Sequence, residues 1–351
     1  VTGPALVVAG RRIGEGAPVF VVAEAGVNHN GDPALAERLV DAAADAGADA
    51  VKFQTFRAGA LVSPGAPKAA YQQAATGAGE GQLEMLRRLE LGLGAHRALK
   101  ARAEARGLVF FSTPFDEASA DALVELGVAL LKVPSGEITN LPFLRHLARR
   151  GRPLVVSTGM STLDEVAAAL EAIAGAGDPP VALLHCLSAY PAPPAEVNLR
   201  AMEALRARFG RPVGFSDHTL GPEVALAAVA RGAVVLEKHL TLDPELPGPD
   251  HRASLAPAAF AALVRGIRTV EAALGDGVKR LMPSEADTAR VARRSLVAAR
   301  ALAAGQRLTA ADVLIRRPGT GISPADLERA LGRPLVRSVA PGDVIEWSAL
   351  G

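Results

Sequence analysis

Residues 213–242 read VGFSDHTLGPEVALAAVARGAVVLEKHLTL. Two nearly continuous apolar runs, closing on His218 and His239, bracket an Ala- and Val-rich segment of helical length. An apolar run without alternation is the mark of a strand covered on both faces, as parallel strands joined by a crossover helix are. The stretch therefore predicts a strand–helix–strand unit, with one histidine at the same end of each of two neighbouring strands.

The same texture recurs along the chain. VFVVAEAG from Val19, ADAVKFQT from Ala48, LVFFSTPF from Leu108, ALLKVPSGE from Ala129, PLVVSTGM from Pro153 and VALLHCLSAY from Val181 precede the two runs already quoted, VGFSDHT from Val213 and AVVLEKHLT from Ala233. Amphipathic segments separate them. DPALAERLVDAAADAGA begins with an Asp-Pro pair, suited to a cap and first helical turn, and stops at Gly47. Eight strand–helix units in about 255 residues predict an α/β protein built as a (β/α)8 barrel. The competing fold is an open doubly wound sheet. It would carry fewer strands and a G-x-G-x-x-G turn after the first, where this chain has AEAGVNHNGD.

Ahead of the first strand, LVVAGRRIG predicts a small hairpin closing the barrel bottom. The long Gly-, Ala- and Pro-rich connection 56–95 predicts a mobile loop over the mouth. The barrel domain is expected over 1–280, a linker over 281–293 and a small β-rich domain over 294–351. That last segment holds a weak repeat: RALAAGQRLTAADV from Arg300 and RSVAPGDVIEWSAL from Arg337 align at an offset of 37, with Ala303 and Ala340 and the glycines 305 and 342 in register. Each copy reads as strand, glycine turn, strand, which predicts a pseudo-twofold β module.

Composition narrows the partners. The chain has 351 residues, 38 basic against 37 acidic, and no long block of one sign, so neither nucleic acid nor an anionic membrane is called for. Cys186 is the only cysteine, which excludes an internal disulfide and makes a reducing cytoplasm the expected setting. The first residues lack the pattern of a secretion signal, and no run of about 18 apolar residues predicts a membrane span.

Barrel enzymes place their chemistry at the carboxyl ends of the strands. Those ends carry Glu24 with Asn28 and His29; Lys52 and Gln54; Thr113 and Phe115; Lys132, Ser135 and Glu137; Ser157 and Thr158; Ser188 and Tyr190; Ser216, Asp217 and His218; and Glu237, Lys238 and His239. Charged side chains on a buried face need partners. Two lysines, two glutamates and two histidines at one mouth point to an anionic ligand and a metal. Adjacent strands lie about 4.8 Å apart, so two imidazoles at equal height suit one divalent cation completed by oxygen ligands. The plainer reading is that each histidine caps a loop through a backbone hydrogen bond. The lysines admit three readings: point charges for phosphate and carboxylate, a Schiff base, or structural ion pairs. Glu24 reads as a general acid/base or as a partner of Lys52, and Cys186 as a small core hydrophobe.

AEAGVNHNGD, ADAVKFQTF, FSTPFD, KVPSGEITNLP, STGMST, FSDHTLG, EKHLTLD and PGPDHRASL, taken in order, closely resemble the sialic acid synthases, and the tail with RRPGTGIS resembles their antifreeze-like (SAF) module. The resemblance implies a transferase that condenses phosphoenolpyruvate with N-acetylmannosamine to give N-acetylneuraminate and phosphate. Sister enzymes making legionaminate use a 2,4-diacetamido-2,4,6-trideoxy sugar, and N-acetylmannosamine 6-phosphate is a further acceptor in the family; PGPDHRASL leans towards an unphosphorylated sugar. It also implies a divalent metal on His218 and His239, manganese with magnesium or cobalt as alternatives, and Glu24 handling the proton of water. Lys52, Thr113, Lys132, Ser135, Ser157, Ser188 and Ser216 match phosphoenolpyruvate contacts. Gln54, Phe115, Glu137, Tyr190 and Asp250 match sugar contacts. Arg317 matches an arginine reaching the sugar's N-acetyl group from a partner subunit, which implies a domain-swapped homodimer. HCLSAYP departs from the more usual HCTSNYP, since Leu187 and Ala189 replace polar residues. Outside this class stand a Schiff-base aldolase working through Lys132 and a sugar- or ice-binding protein with a decayed barrel.

Overall fold

The computed structural model describes residues 4–77 and 79–351, and Ala78 of the long connection lies outside the described residues, as do Val1–Gly3. The chain divides into two compact units, Val1–Gly275 and Asp276–Gly351. In the first, the strands are β1 (Ala5–Val8), β2 (Arg11–Gly14), β3 (Phe20–Gly26), β4 (Ala50–Thr55), β5 (Val109–Pro114), β6 (Leu131–Val133), β7 (Leu154–Ser157), β8 (Val181–Cys186), β9 (Val213–Asp217) and β10 (Val235–His239). β3 to β10 form a closed barrel in sequence order, with β10 pairing β3 in parallel.

Two local signals set up the helical layer. Asp32 accepts a hydrogen bond from the Ala34 amide (2.8 Å) with Pro33 at the first helical turn, and the helix Pro33–Asp45 then buries Ala36, Leu39, Val40 and Ala43 against the sheet. Thr162 and Glu165 form a reciprocal capping box before the helix Leu163–Ala174.

Side chains two apart on a strand share a face, and the inward faces change character along their length. Phe20 and Val22 lead to Glu24, Ala50 to Lys52, Val109 and Phe111 to Thr113, Leu130 to Lys132, Val155 to Ser157, and Val235 to Glu237. The apolar members join Leu6, Val8 and Ile13 of the β1–β2 hairpin in one buried cluster. The hairpin therefore plugs the amino-terminal end, as the sequence predicts, and the polar members collect at the opposite end.

The connection 56–95 is more ordered than its composition predicts. It carries the helices Ala58–Leu61, Ala70–Thr76 and Gln82–Leu89. Met85, Leu86 and Leu89 pack with Val27, Phe56 and Ala58 into a separate apolar cluster. Lys68, almost fully buried, reaches Thr76 Oγ1 (2.8 Å), the Gly77 carbonyl (3.0 Å) and Glu80 (3.1 Å). Charge pairing and apolar spacing in QLEMLRRL overcome the breakers around them. The expected linker likewise includes a short helix, Ala286–Ala292.

In the second unit β11 (Ser295–Ala298) and β12 (Val313–Arg316) pair antiparallel. Leu302 and Val339, 37 residues apart, exchange reciprocal backbone hydrogen bonds of 2.9 and 3.0 Å. Equivalent residues of a repeat can pair with each other only across a twofold, so the pseudo-symmetry read from the repeat is real. Gly305 and Gly342 make the matching turns at φ of +83° and +86°.

Asp312 ties one repeat together. Its buried carboxylate accepts from the Thr309 amide (2.9 Å) and hydroxyl (2.7 Å) and pairs with Arg300 (2.6 Å). Asp312→Ala leaves those donors without their acceptor and should destabilise this unit by about 2 kcal/mol. Hydrogen exchange at the Thr309 amide checks this; unchanged protection would contradict it.

Candidate active site

The polar ends of the strands line a cavity of about 430 Å³ at the carboxyl end of the barrel, the size expected of a small-molecule site. Two buried lysines face two buried glutamates. Lys52 Nζ lies 2.8 Å from Glu24 and 3.8 Å from Glu237, and Lys132 Nζ lies 4.0 Å from Glu237. Each ammonium also donates to a hydroxyl: Lys52 to Thr113 Oγ1 (2.9 Å) and Lys132 to Ser157 Oγ (2.5 Å). Those hydroxyls keep their own protons free for an anionic oxygen.

The two glutamates differ in charge state. Burial pushes Glu237 up, but Lys132 and Lys52, helped by a 3.0 Å hydrogen bond from Ser216, hold it below the ordinary carboxylate range. Burial pushes Glu24 up to about 7; Lys52 opposes the rise and the charge of Glu237 adds to it. Glu24 is thus the carboxylate that exchanges a proton near neutrality. Burial also works against the charge on Lys52, yet Glu237 and Glu24 outweigh it and keep the ammonium. For Lys132 burial prevails and lowers its affinity for the proton. Asp250 is raised to about 6, chiefly by burial.

His218 and His239 meet at the same mouth, with ring centroids 5.4 Å apart. Burial holds both below the ordinary histidine value, His239 far below it. They are therefore neutral, the form in which imidazole binds a metal. His218 Nδ1 hydrogen-bonds the Leu187 carbonyl (2.7 Å), which fixes the tautomer and leaves Nε2 with its lone pair. Buried His239 Nδ1 has no hydrogen-bond partner among the described residues. Two neutral imidazoles, one oriented through its far nitrogen and the other carrying an orphaned nitrogen, fit a divalent cation whose remaining ligands are oxygens.

The wall contains Glu24, Lys52, Gln54, Thr113, Phe115, Lys132, Ser135, Ser157, Ser188, Tyr190, Ser216, His218, His239 and Asp250. All were expected from the strand ends or the family resemblance. Glu137 is not among them: the 3₁₀ turn Ser135–Glu137 directs its carboxylate to Asn140 Nδ2 (2.7 Å), the cap of the next helix. Arg317 lies exposed in the second unit. Leu187 serves through its backbone carbonyl; of HCLSAYP, Cys186, Ser188 and Tyr190 line the wall and Leu187 and Ala189 do not. Cys186, read as a core hydrophobe, is buried but also faces the cavity, 3.1 Å from Ser135 Oγ.

One contributor, Tyr71, escaped the sequence reading, and another, Glu237, was placed at its strand end without a role. Glu237 sits between the lysines, and only the alternation of β10, with His239 two residues on, signals its inward direction. Tyr71, from the helix Ala70–Thr76, stacks on Tyr190 at 4.9 Å, and Tyr190 in turn lies 4.2 Å from the His218 ring. Nothing local in AAYQQA marks that residue.

The NeuB family profile matches residues 39–279, and that of the SAF domain matches residues 293–351. The chain is 45% identical to the N,N'-diacetyllegionaminic acid synthase of Campylobacter jejuni, over 93% of this chain and 98% of that one. It is 46% identical to the synthase of the same name from Legionella pneumophila, over 93% of both. A solved structure of N-acetylneuraminic acid synthetase from Leptospira borgpetersenii aligns with a TM-score of 0.73 at 34% identity, over 82% of this chain and 95% of that one. The chain belongs to the NeuB family, enzymes that condense phosphoenolpyruvate with amino sugars.

Gly159 backs the part of the cavity wall formed by Ser135, Cys186 and Ser188. Its amide donates to Ser135 Oγ (3.0 Å), and a Cβ there would stand 2.4 Å from Ser188 Oγ, 2.8 Å from Ser135 Oγ and 2.9 Å from Cys186 Sγ. Gly159→Ala should raise the KM for phosphoenolpyruvate at least about tenfold, the loss expected from displacing Ser135 and Ser188, which the resemblance matches to phosphoenolpyruvate contacts. Steady-state kinetics beside a melting curve checks this, and an unaltered KM would refute it.

Proposed function

We propose that this NeuB-family chain joins phosphoenolpyruvate to an unphosphorylated N-acylated amino sugar and releases inorganic phosphate by C–O cleavage. The observation that carries the reading is the pair of buried lysines beside two neutral histidines at one barrel mouth. The ammonium groups of Lys52 and Lys132, with the hydroxyls they orient, balance the phosphate and carboxylate of phosphoenolpyruvate. C3 of phosphoenolpyruvate bonds to the aldehyde carbon of the open-chain sugar, water adds at C2, and the C2–O bond to phosphate breaks. Glu24, able to gain or lose a proton near neutrality, takes the proton of that water. His218 and His239 would hold a divalent ion, manganese with magnesium or cobalt as alternatives, whose contribution when bound is Lewis-acid polarisation of the aldehyde oxygen.

For the acceptor, 2,4-diacetamido-2,4,6-trideoxy-mannose moves ahead of N-acetylmannosamine. The two N,N'-diacetyllegionaminic acid synthases share 45% and 46% identity with this chain, against 34% for the sialic acid synthetase. The outer wall is apolar, with Val27, Phe56, Leu61, Val62, Met85, Leu86 and Leu89, which suits acetamido methyls and a 6-deoxy carbon. Lys52 and Lys132 are the only Lys or Arg among its described residues, so the barrel offers no separate cation to a sugar 6-phosphate. Gln54, Phe115, Tyr190 and Asp250 face the sugar side. Arg317, whose guanidinium has no partner among the described residues, would bind the sugar's N-acetyl group in a domain-swapped homodimer.

Phosphate release assayed with the diacetamido sugar, N-acetylmannosamine and its 6-phosphate, with and without chelator, tests the reading. Release should be greatest with the diacetamido sugar and abolished by chelation, and borohydride with pyruvate should trap no adduct. A trapped adduct would establish Schiff-base chemistry at Lys132 instead, and no release with any sugar would leave a binding protein. Glu24→Gln should lower kcat by about 100-fold or more with the KM for phosphoenolpyruvate little changed, within the range for a positioned acid/base. Arg317→Ala should weaken the acceptor more than phosphoenolpyruvate; equal effects would remove its assigned role.

A further inference from the structure

Behind the histidine pair, on the outward faces of β9 and β10, lies a second charged group whose side chains do not line the cavity. Lys238 and Asp217 are fully buried, with their charged atoms 2.7 Å apart. Lys238 Nζ also donates to the Thr219 carbonyl (2.5 Å). The other oxygen of Asp217 accepts from the Thr219 amide (2.9 Å) and hydroxyl (2.8 Å). Lys238 is the covalent neighbour of His239, while Asp217 and Thr219 flank His218.

We infer that the Asp217–Lys238 pair is a buckle that sets the spacing of His218 and His239, making both its members positioning residues for the divalent ion; the inference rests on the proposed histidine ligation. The strand pairing shows why a buckle is needed. The β9–β10 ladder runs Phe215 to Leu236, Ser216 to Glu237 and Asp217 to Lys238, and stops there. On its other side β9 pairs β8 only as far as Ser216. His218 therefore lies beyond both ladders, whereas His239 is still held by β3 opposite Glu24. Ladder hydrogen bonds fix one imidazole, whereas the other stands on a loop held by the Ala192 amide on the His218 carbonyl (2.8 Å) and by its own Nδ1 on the Leu187 carbonyl (2.7 Å). Lys238 closes that gap by gripping the residue before His218 through its carboxylate and the residue after it through its carbonyl.

Energetics point the same way. Replacing a buried ion pair with apolar side chains of similar volume is often neutral or stabilising, and the helix layer here is otherwise packed with Ala, Val and Leu. Apolar side chains would fill the space but leave the His218 loop to its bonds with Ala192 and Leu187, with no tie to β10 beyond the ladder. Metal–ligand distances tolerate only about ±0.2 Å, so a loose His218 would cost affinity for the ion while leaving the phosphoenolpyruvate lysines in place.

The test uses the purified full chain and manganese alone, with free manganese read by electron paramagnetic resonance. His218→Ala and His239→Ala should abolish binding at the site. Lys238→Met should weaken it about 10- to 100-fold, the usual loss when the outer partner of a metal ligand is removed. Asp217→Asn, which keeps the shape of the buckle, should weaken it less, and it carries the test alone if Lys238→Met does not fold. Phosphoenolpyruvate affinity without metal, by equilibrium dialysis, should stay within about twofold in both buckle variants, since neither removes a charge-assisted contact to that anion. Wild-type manganese affinity in both buckle variants, with binding lost in the histidine variants, would overturn the buckle and leave the ligation standing. An equal fall in manganese and phosphoenolpyruvate affinity would reduce the pair to general support. Wild-type affinity in the histidine variants would remove the ligation reading and the buckle with it.

Discussion

Four charged side chains, Lys52, Lys132, Glu24 and Glu237, share one desolvated layer at the end of the barrel, and the remaining architecture answers to that constraint. A single buried charge is prohibitively costly, whereas two of each sign, each reached by a hydroxyl, amide or opposing charge, can be held. Each of the four comes from a different strand, and the hydroxyls of Thr113, Ser157 and Ser216 that meet them come from three others. The layer exists only if β3, β4, β6 and β10 are in register around a closed barrel. The apolar layer beneath, sealed by the β1–β2 hairpin, keeps water from the floor, and the helical connection above keeps it from the wall.

Near-neutrality among the four leaves the site poised. Glu237 serves as the fixed counter-charge between the lysines, and Glu24 takes up the imbalance by binding a proton. An arriving polyanion then meets two ammonium groups whose hydroxyl partners still have protons to give. The histidines are set apart from this exchange, neutral by burial and oriented by a backbone carbonyl on one side and by the outward ion pair on the other. The charged layer and the imidazole pair thus share β10, whose alternation sends Glu237 and His239 to the same mouth.

Much of this was legible along the chain. Continuous apolar runs marked eight barrel strands, and reading their last residues placed Glu24, both lysines and both histidines at one mouth, because a parallel barrel sends every carboxyl end the same way. The 37-residue repeat foretold a twofold that the Leu302–Val339 pair realises. Other features were misread. The connection 56–95 has the composition of a loop, yet Lys68 and the apolar stripe of its last helix organise it. Glu137, which the resemblance matches to a sugar contact, bonds instead with Asn140, since the chain leaves the strand at Pro134 and a 3₁₀ turn follows.

The sequence by itself determined the strand–helix order and the polar ends of the strands, which follow from burial and period-two geometry within short windows, and its resemblance to the sialic acid synthases carried the class of chemistry. Tertiary structure alone decided which charge pairs with which, that Tyr71 reaches Tyr190, and that Lys238 braces the loop of His218. Those contacts join residues roughly twenty to two hundred positions apart. Their partners are selected by barrel closure and packing, which no local pattern encodes.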